Sequence, residues 1–229
     1  MYIKTLGIET DRVPRVFRSR HLPGRRIVDI LGPTGCGKST FMAQTLRERH
    51  WKFKKEPVRG APIKEISEER ARLLNRHAQR IANQNFHPLY IKEAIKKICL
   101  DEALEKKDSC TIVDEGFFYW FMHDLYGAIQ ENRTWVHKLL QRRAIIELIV
   151  PPEKTAERAL FRSRRGGKVA RCHAEKSYHE IVKMSEERII ATNAFTKAVE
   201  QLGVPVARID WDEKTLAFHR ETIQKTICS

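Results

Sequence analysis

The chain has 229 residues, 41% of them hydrophobic, which suits one sizeable α/β domain or two small ones. Lys and Arg number 43 against 29 Asp and Glu, a formal net charge of +14 that attracts polyanions such as nucleic acid, acidic membrane surfaces or phosphorylated substrates. No apolar run approaches the length of a membrane span, the N-terminus lacks the apolar core of a signal peptide, and five irregularly spaced cysteines form no disulfide framework, so a cytoplasmic protein with reduced thiols is expected.

Residues 1–25 read as a basic N-terminal arm, with Arg12, Arg15, Arg18, Arg20 and Arg25 set among Pro14 and Pro23. Glu9 and Asp11 argue against a simple transit peptide. The folded domain is expected over 26–229. It opens with an apolar strand, Ile27–Leu31, followed by a glycine-rich loop and a helix over Thr40–His50. A short strand around Trp51–Lys55 runs into Glu56-Pro57-Val58-Arg59-Gly60, where proline and glycine end it. A charged helical pattern covers Ile63–Asn85, His87-Pro88 breaks it, and a second helix runs over Leu89–Lys107.

Cys110–Asp114 is β-rich and ends in two carboxylates, Asp114 and Glu115. The aromatic run Phe117–Phe121 reads as core and pocket wall. A helix is predicted over Thr134–Arg142, a buried strand over Ala144–Val150 that stops at Pro151-Pro152, and a helix over Glu153–Ser163. Arg164–Gly167 forms a basic turn. A long helix over Glu175–Leu202, a strand over Val204–Ile209 and a terminal helix complete the chain. Five strands alternating with helices predict an α/β fold: a mostly parallel five-stranded sheet with helices on both faces. Ligands of such sheets bind at the carboxyl ends of the strands. The loop at Gly32, the carboxylates at Asp114 and the turn after Val150 all follow strands and should share one edge.

Gly32-Pro33-Thr34-Gly35-Cys36-Gly37-Lys38-Ser39 fits G-x-x-x-x-G-K-[ST] at every fixed position. Glycines let several backbone N–H groups converge on one anion, and the following helix adds the positive end of its dipole. This predicts a phosphate-binding loop for ATP over Gly32–Thr40, with Lys38 at the terminal phosphates and Ser39 on Mg²⁺. Asp114 is the candidate second carboxylate of the magnesium site, acting through water, since Mg²⁺ takes few protein ligands. Glu115 leaves three roles open: polarising a water, binding a substrate hydroxyl, or capping the next helix. Arg158, Arg162 and Arg165 fall at helical spacing beside Arg164, Gly166-Gly167 and Lys168, an arginine-rich lid over about 153–172 that would neutralise charge on a transferred phosphoryl group. The plain alternative is a solvated basic helix. Glu56 is placed to accept a proton from a hydroxyl nucleophile, and Arg59 offers a clamp for an acidic group. Cys172, His173 and His179 lack the second ligand pair a zinc site needs.

Together these residues resemble the P-loop kinases of the nucleoside and nucleoside-monophosphate type, over about 26–212. Glu56-Pro57-Val58 is similar to the Glu-Pro element of deoxynucleoside kinases and thymidylate kinases. Pro151-Pro152-Glu153 with Arg158 and Arg162 is similar to their fourth-strand exit and lid. Asp210 stands where the family has its adenine-binding loop. The resemblance implies a P-loop NTPase fold and transfer of the γ-phosphoryl group of ATP, with Mg²⁺, to a small acceptor, most simply a nucleoside or nucleotide. One departure stands out: Glu115 replaces the arginine that the family places after its third strand. Two other readings follow from the charge: a polynucleotide 5′-hydroxyl kinase, and a nucleic-acid-associated ATPase.

Overall fold

The computed structural model of the chain describes residues 15–19, 26–47, 54–55, 58, 60–83, 88–114, 116–164, 176–211 and 216–228. Its strands are β1 (Arg15–Ser19), β2 (Ile27–Leu31), β3 (Lys54–Lys55), β4 (Cys110–Asp114), β5 (Arg143–Ile149) and β6 (Val206–Asp210). The helices are α1 (Lys38–Arg47), α2 (Glu68–Ala82), α3 (Pro88–Glu105), α4 (Phe117–Glu131), α5 (Arg133–Leu140), α6 (Pro152–Arg164), α7 (Tyr178–Glu200) and α8 (Leu216–Cys228). The fold is α/β. None of the described helices is long and apolar enough to cross a membrane.

The sheet corrects the expected count and polarity. Its order is β3-β1-β4-β2-β5-β6, six strands rather than five. β4, β2, β5 and β6 run parallel, while β1 is antiparallel to both β3 and β4, so the sheet is mixed. The sixth strand comes from the segment read as a basic arm: Arg15–Ser19 pairs with Cys110–Asp114 along its whole length. The sheet therefore begins before Arg26. A two-residue apolar step explains it. Val16 and Phe17 point to opposite faces, as strand geometry requires, and both are buried, in different clusters. Among five arginines, two apolar residues gave too little period to register as a strand.

Helices cover both faces. In β2 and β5, Val28, Ile30, Ile146 and Leu148 pack with Phe41 and Met42 of α1 and Ile223 of α8. Leu31 and Ile145 pack on the opposite side with Phe117, Phe118 and Phe121 of α4 and Phe195 of α7. Pro88 begins α3 rather than merely ending the preceding segment, as its fixed φ and missing N–H allow at a first helical position. α7 starts on a capping box, with Ser177 accepting from the Glu180 N–H and the Glu180 carboxylate accepting from the Ser177 N–H.

A buried charge network crosses this architecture. Arg143, at the start of β5, is 1% exposed. Its guanidinium donates to Asp29 of β2 at 3.1 Å and to Asp101 of α3, and it lies 4.6 Å from the centre of the Phe117 ring. Arg70 of α2 joins the far side through Asp101, at 2.9 Å, and through Glu102 and Glu105. Asp29 also accepts from the Phe118 N–H at the start of α4. Burial pushes the Asp29 carboxyl up to about 6 and the nearby Asp101 charge adds to this, while Arg143 pulls the other way.

Two outcomes follow. Arg143→Met would leave Asp29 buried without its cation and Asp101 with Arg70 alone, and a loss of about 3–5 kcal/mol is expected in urea unfolding at pH 7. Because Asp29 titrates higher in the folded state than in the unfolded one, the folded chain binds the extra proton between about pH 4 and 6. The stability of the wild type relative to Asp29→Asn should accordingly fall as pH rises from about 4 to above 6. Unfolding free energies of both proteins at pH 4.5 and 7.5 measure the difference, and a constant difference would remove Asp29 from that window.

Candidate functional site

Parallel pairing brings the exits of four strands to one edge. Asp29 is level with Val113, Leu31 with Glu147, and Ile149 with Asp210. The chain leaves β2 at Gly32, β4 at Asp114, β5 at Val150 and β6 at Trp211, so the expected convergence of these segments is present. β2, the strand that feeds the glycine loop, lies between β4 and β5, which puts the loop near the middle of the edge.

The loop is tightly wound. Gly32, Gly35 and Gly37 have φ of +144°, +92° and +102°, values that L side chains rarely adopt. At Gly37 space is closed as well: a Cβ would stand 2.7 Å from Nε1 of Trp211. Trp211 is buried and meets Phe41 of α1 edge-on, with ring centres 5.1 Å apart, so the indole wedges the loop against the helix it opens. Cys36 is fully buried beneath Gly32. Pro33 accepts from the Cys36 N–H and closes the turn. Thr34, Gly35 and Thr40 are half-buried, and Ser39 is exposed on the first turn of α1. The first-turn N–H groups of a helix have no partners within it and open toward the loop.

Lys38 curls back over this loop. Its ammonium donates to the carbonyls of Gly32 and Pro33, both at 3.0 Å, and lies 5.8 Å from the centre of the Tyr119 ring. Arg158 reaches the loop from α6 and donates to the Cys36 carbonyl at 2.7 Å. Among the described residues neither cation has a carboxylate partner, so two positive charges meet on one backbone loop. Asp114 ends β4 and is buried. With Ser39 it is the pair this edge offers to a hard cation such as Mg²⁺, which takes oxygen ligands and keeps several waters. Among the described residues no group of three His, Cys, Asp or Glu gathers as a metal cluster.

Arg162 lies one turn beyond Arg158 on α6. Glu56, Glu115 and Arg165 lie outside the described residues. Asp210 is exposed and lines a cavity of about 520 Å³, with Val150, Pro151, Pro152, Lys154 and Trp211 among the other walls. The cavity abuts the loop through Trp211, and its volume is in the range of small-ligand pockets.

The sequence reading missed three residues here. Trp211 sits one position past the strand end and carries no motif. Tyr119 was read only as part of an aromatic run. It is the half-buried member that faces Lys38, whereas Phe117, Phe118 and Phe121 are core. Arg188, on α7, lies 5.3 Å from the Tyr119 ring centre, yet in the sequence it is one charge in Glu186-Glu187-Arg188. No protein-family model matches the chain, and no curated protein matches it significantly.

Gly37→Ala tests the loop. Its Cβ meets the indole and its φ is strained, so the loop must open. The expected result is a lower melting temperature than that of the wild type, with far-UV circular dichroism of the folded protein unchanged.

Proposed function

We propose that the chain is an ATP- and Mg²⁺-dependent phosphotransferase with a P-loop NTPase fold, moving the γ-phosphoryl group of ATP to a small acceptor of the nucleoside or nucleotide class. The observation that carries this reading is the loop itself. A full G-x-x-x-x-G-K-S sequence stands in left-handed glycine geometry at the edge where strands end, with Lys38 and Arg158 both hydrogen-bonded to its carbonyls. Carbonyls are weak partners for two cations. Phosphate oxygens would take both over, and each would need only a change of rotamer.

The residues then divide the work. Loop amides and the first turn of α1 cradle the β- and γ-phosphates. Lys38 moves from the Gly32 and Pro33 carbonyls onto them. Ser39 and, through water, Asp114 would hold Mg²⁺, which would supply positive charge to the phosphates. The nucleobase enters the cavity between Pro151-Pro152 and Trp211, where Asp210 accepts from an exocyclic amine. Arg158 transfers from the Cys36 carbonyl to the moving phosphoryl group, and the sequence offers Arg162 and Arg165 as further cations for the same task. Glu56 serves as base only if the acceptor is a hydroxyl, because a phosphate nucleophile is already deprotonated at neutral pH.

Transfer of ³²P from Mg²⁺-[γ-³²P]ATP across a panel of nucleosides and nucleotides tests the proposal. Lys38→Ala should remove transfer while the protein stays folded, and wild-type turnover in that variant would exclude the mechanism. Arg158→Ala should lower kcat by on the order of 10²–10³ with a smaller effect on ATP affinity, the pattern of a contact made mainly in the transition state. Glu56→Gln separates the acceptor classes: a rate loss on the order of 10²–10⁴ is expected for a hydroxyl acceptor, and a small loss for a phosphate.

A further inference from the structure

We propose that Arg188 and Tyr119 form the acceptor subsite, and that the acceptor carries an anionic group, a phosphate or a carboxylate, bound by Arg188. The inference rests on the phosphotransferase reading and names the substrate class of that site.

The geometry begins with one ring. Tyr119, on the first turn of α4, has Lys38 Nζ 5.8 Å and Arg188 Cζ 5.3 Å from its centre. The two cations therefore lie within about 11 Å of each other, the sum of those distances. That span admits the transferred phosphoryl group and the reacting end of an acceptor, whose atoms approach to about 3–3.5 Å. Lys38 and Arg188 thus share the Tyr119 ring as a neighbour, which sets a second cation beside the loop proposed for the donor phosphates.

The charge at Arg188 calls for an anion. The side chain is half-buried, and burial pushes its guanidinium below its usual value, with Tyr119 the opposing influence. Among the described residues it has no carboxylate partner. The carboxylates near this helix are otherwise engaged. Asp124, one turn beyond Trp120, accepts from His77 at 2.7 Å and from Arg80 at 2.7 and 2.9 Å. Burial first, then Arg188 and Arg80, hold the His123 imidazolium below its usual range, against the pull of Asp124. A desolvated guanidinium gains most from a planar or tetrahedral oxyanion, which it can engage with two parallel N–H donors.

The surroundings also set the size of the ligand. Tyr119 presents a ring face, and Trp120 beside it carries Lys97 of α3 at 5.2 Å. The site thus combines a flat apolar wall with a cation at its end. This fits a compact molecule with a ring and one charged substituent better than a neutral polyol.

The test uses the full chain saturated with Mg²⁺ and the non-hydrolysable analogue AMP-PNP, so that the glycine loop is filled. Calorimetric titrations compare thymidine with thymidine 5′-monophosphate, and glucose with glucose 6-phosphate and with glucuronate. At least one anionic member should bind more tightly than its neutral counterpart. A phosphate-only preference identifies a phosphomonoester acceptor, and binding of glucuronate a carboxylate. Arg188→Gln should weaken the anion by on the order of 10- to 100-fold, the usual value of a hydrogen bond to a charged group, and leave AMP-PNP affinity unchanged. Arg188→Lys should recover part of the loss, and it stands in if the glutamine variant fails to fold. The proposal is overturned if no anion binds to the filled enzyme, if neutral members bind as well as anionic ones, or if both Arg188 variants bind the anion like wild type. Failure of AMP-PNP itself to bind would instead overturn the phosphotransferase reading.

Discussion

Arg143 is a charge that this fold cannot leave unpaired, and the requirement fixes much of the architecture. A guanidinium buried to 1% exposure needs carboxylates within hydrogen-bond reach, and it draws them from two directions: Asp29 from the strand that feeds the glycine loop, Asp101 from α3. Arg70 then binds α2 to Asp101 and to Glu102 beside it. Asp29 extends the chain of contacts to the Phe118 N–H, so the first turn of α4 is held against β2. Tyr119 is the next residue along. The ring that faces Lys38 is therefore positioned from the same strand as the loop carrying Lys38. Donor side and acceptor side of the proposed site share one buried reference.

That reference was invisible in the sequence, and the reason is physical. The glycine loop is a local device whose residues are contiguous, and its pattern, strand and helix were all legible. So were the alternation of strands and helices, the shared edge and most element boundaries to within a few residues. Arg143, Asp29 and Asp101 lie far apart in the chain and each looks ordinary in place. Asp29 interrupts an apolar strand, and Arg143 reads as the last charge of a helix end. Only tertiary pairing makes them core residues. The strand at Arg15–Ser19 was missed for a related reason: its pairing partners, β4 and β3, supply the hydrogen bonds, so two buried side chains suffice where a lone strand would need a longer pattern.

Arg188 and Trp211 mark the other limit of sequence reading. A cation on a charged helix and an aromatic just past a strand are both common and usually without consequence. Their roles come from what lies opposite them. Trp211 matters because Gly37 has no side chain, and the indole occupies the space a Cβ would fill. Arg188 matters because α7 packs on α4, which brings the guanidinium to the same Tyr119 ring that Lys38 approaches.

The charge balance of the interior bears on the choice between a small acceptor and a polynucleotide. Within the buried network, Arg70 and Arg143 face Asp29, Asp101, Glu102 and Glu105, so carboxylates outnumber guanidiniums there; burial first, and the Asp101 charge after it, raise Asp29. The net +14 of the chain is therefore not spent in the core. Part of the surplus is Lys38, Arg158 and Arg188, carried by three different helices: Lys38 and Arg158 meet on the glycine loop, and Arg188 shares the Tyr119 ring with Lys38. A polynucleotide backbone is gripped by exposed rows of Lys and Arg that follow its repeat, each contact releasing counterions. Buried or half-buried cations around a single tyrosine ring have the reverse geometry: they reward a ligand small enough to enter and lose its water. On that argument the basic character of the chain points inward at the site, toward phosphate groups on compact molecules, before it points outward to nucleic acid.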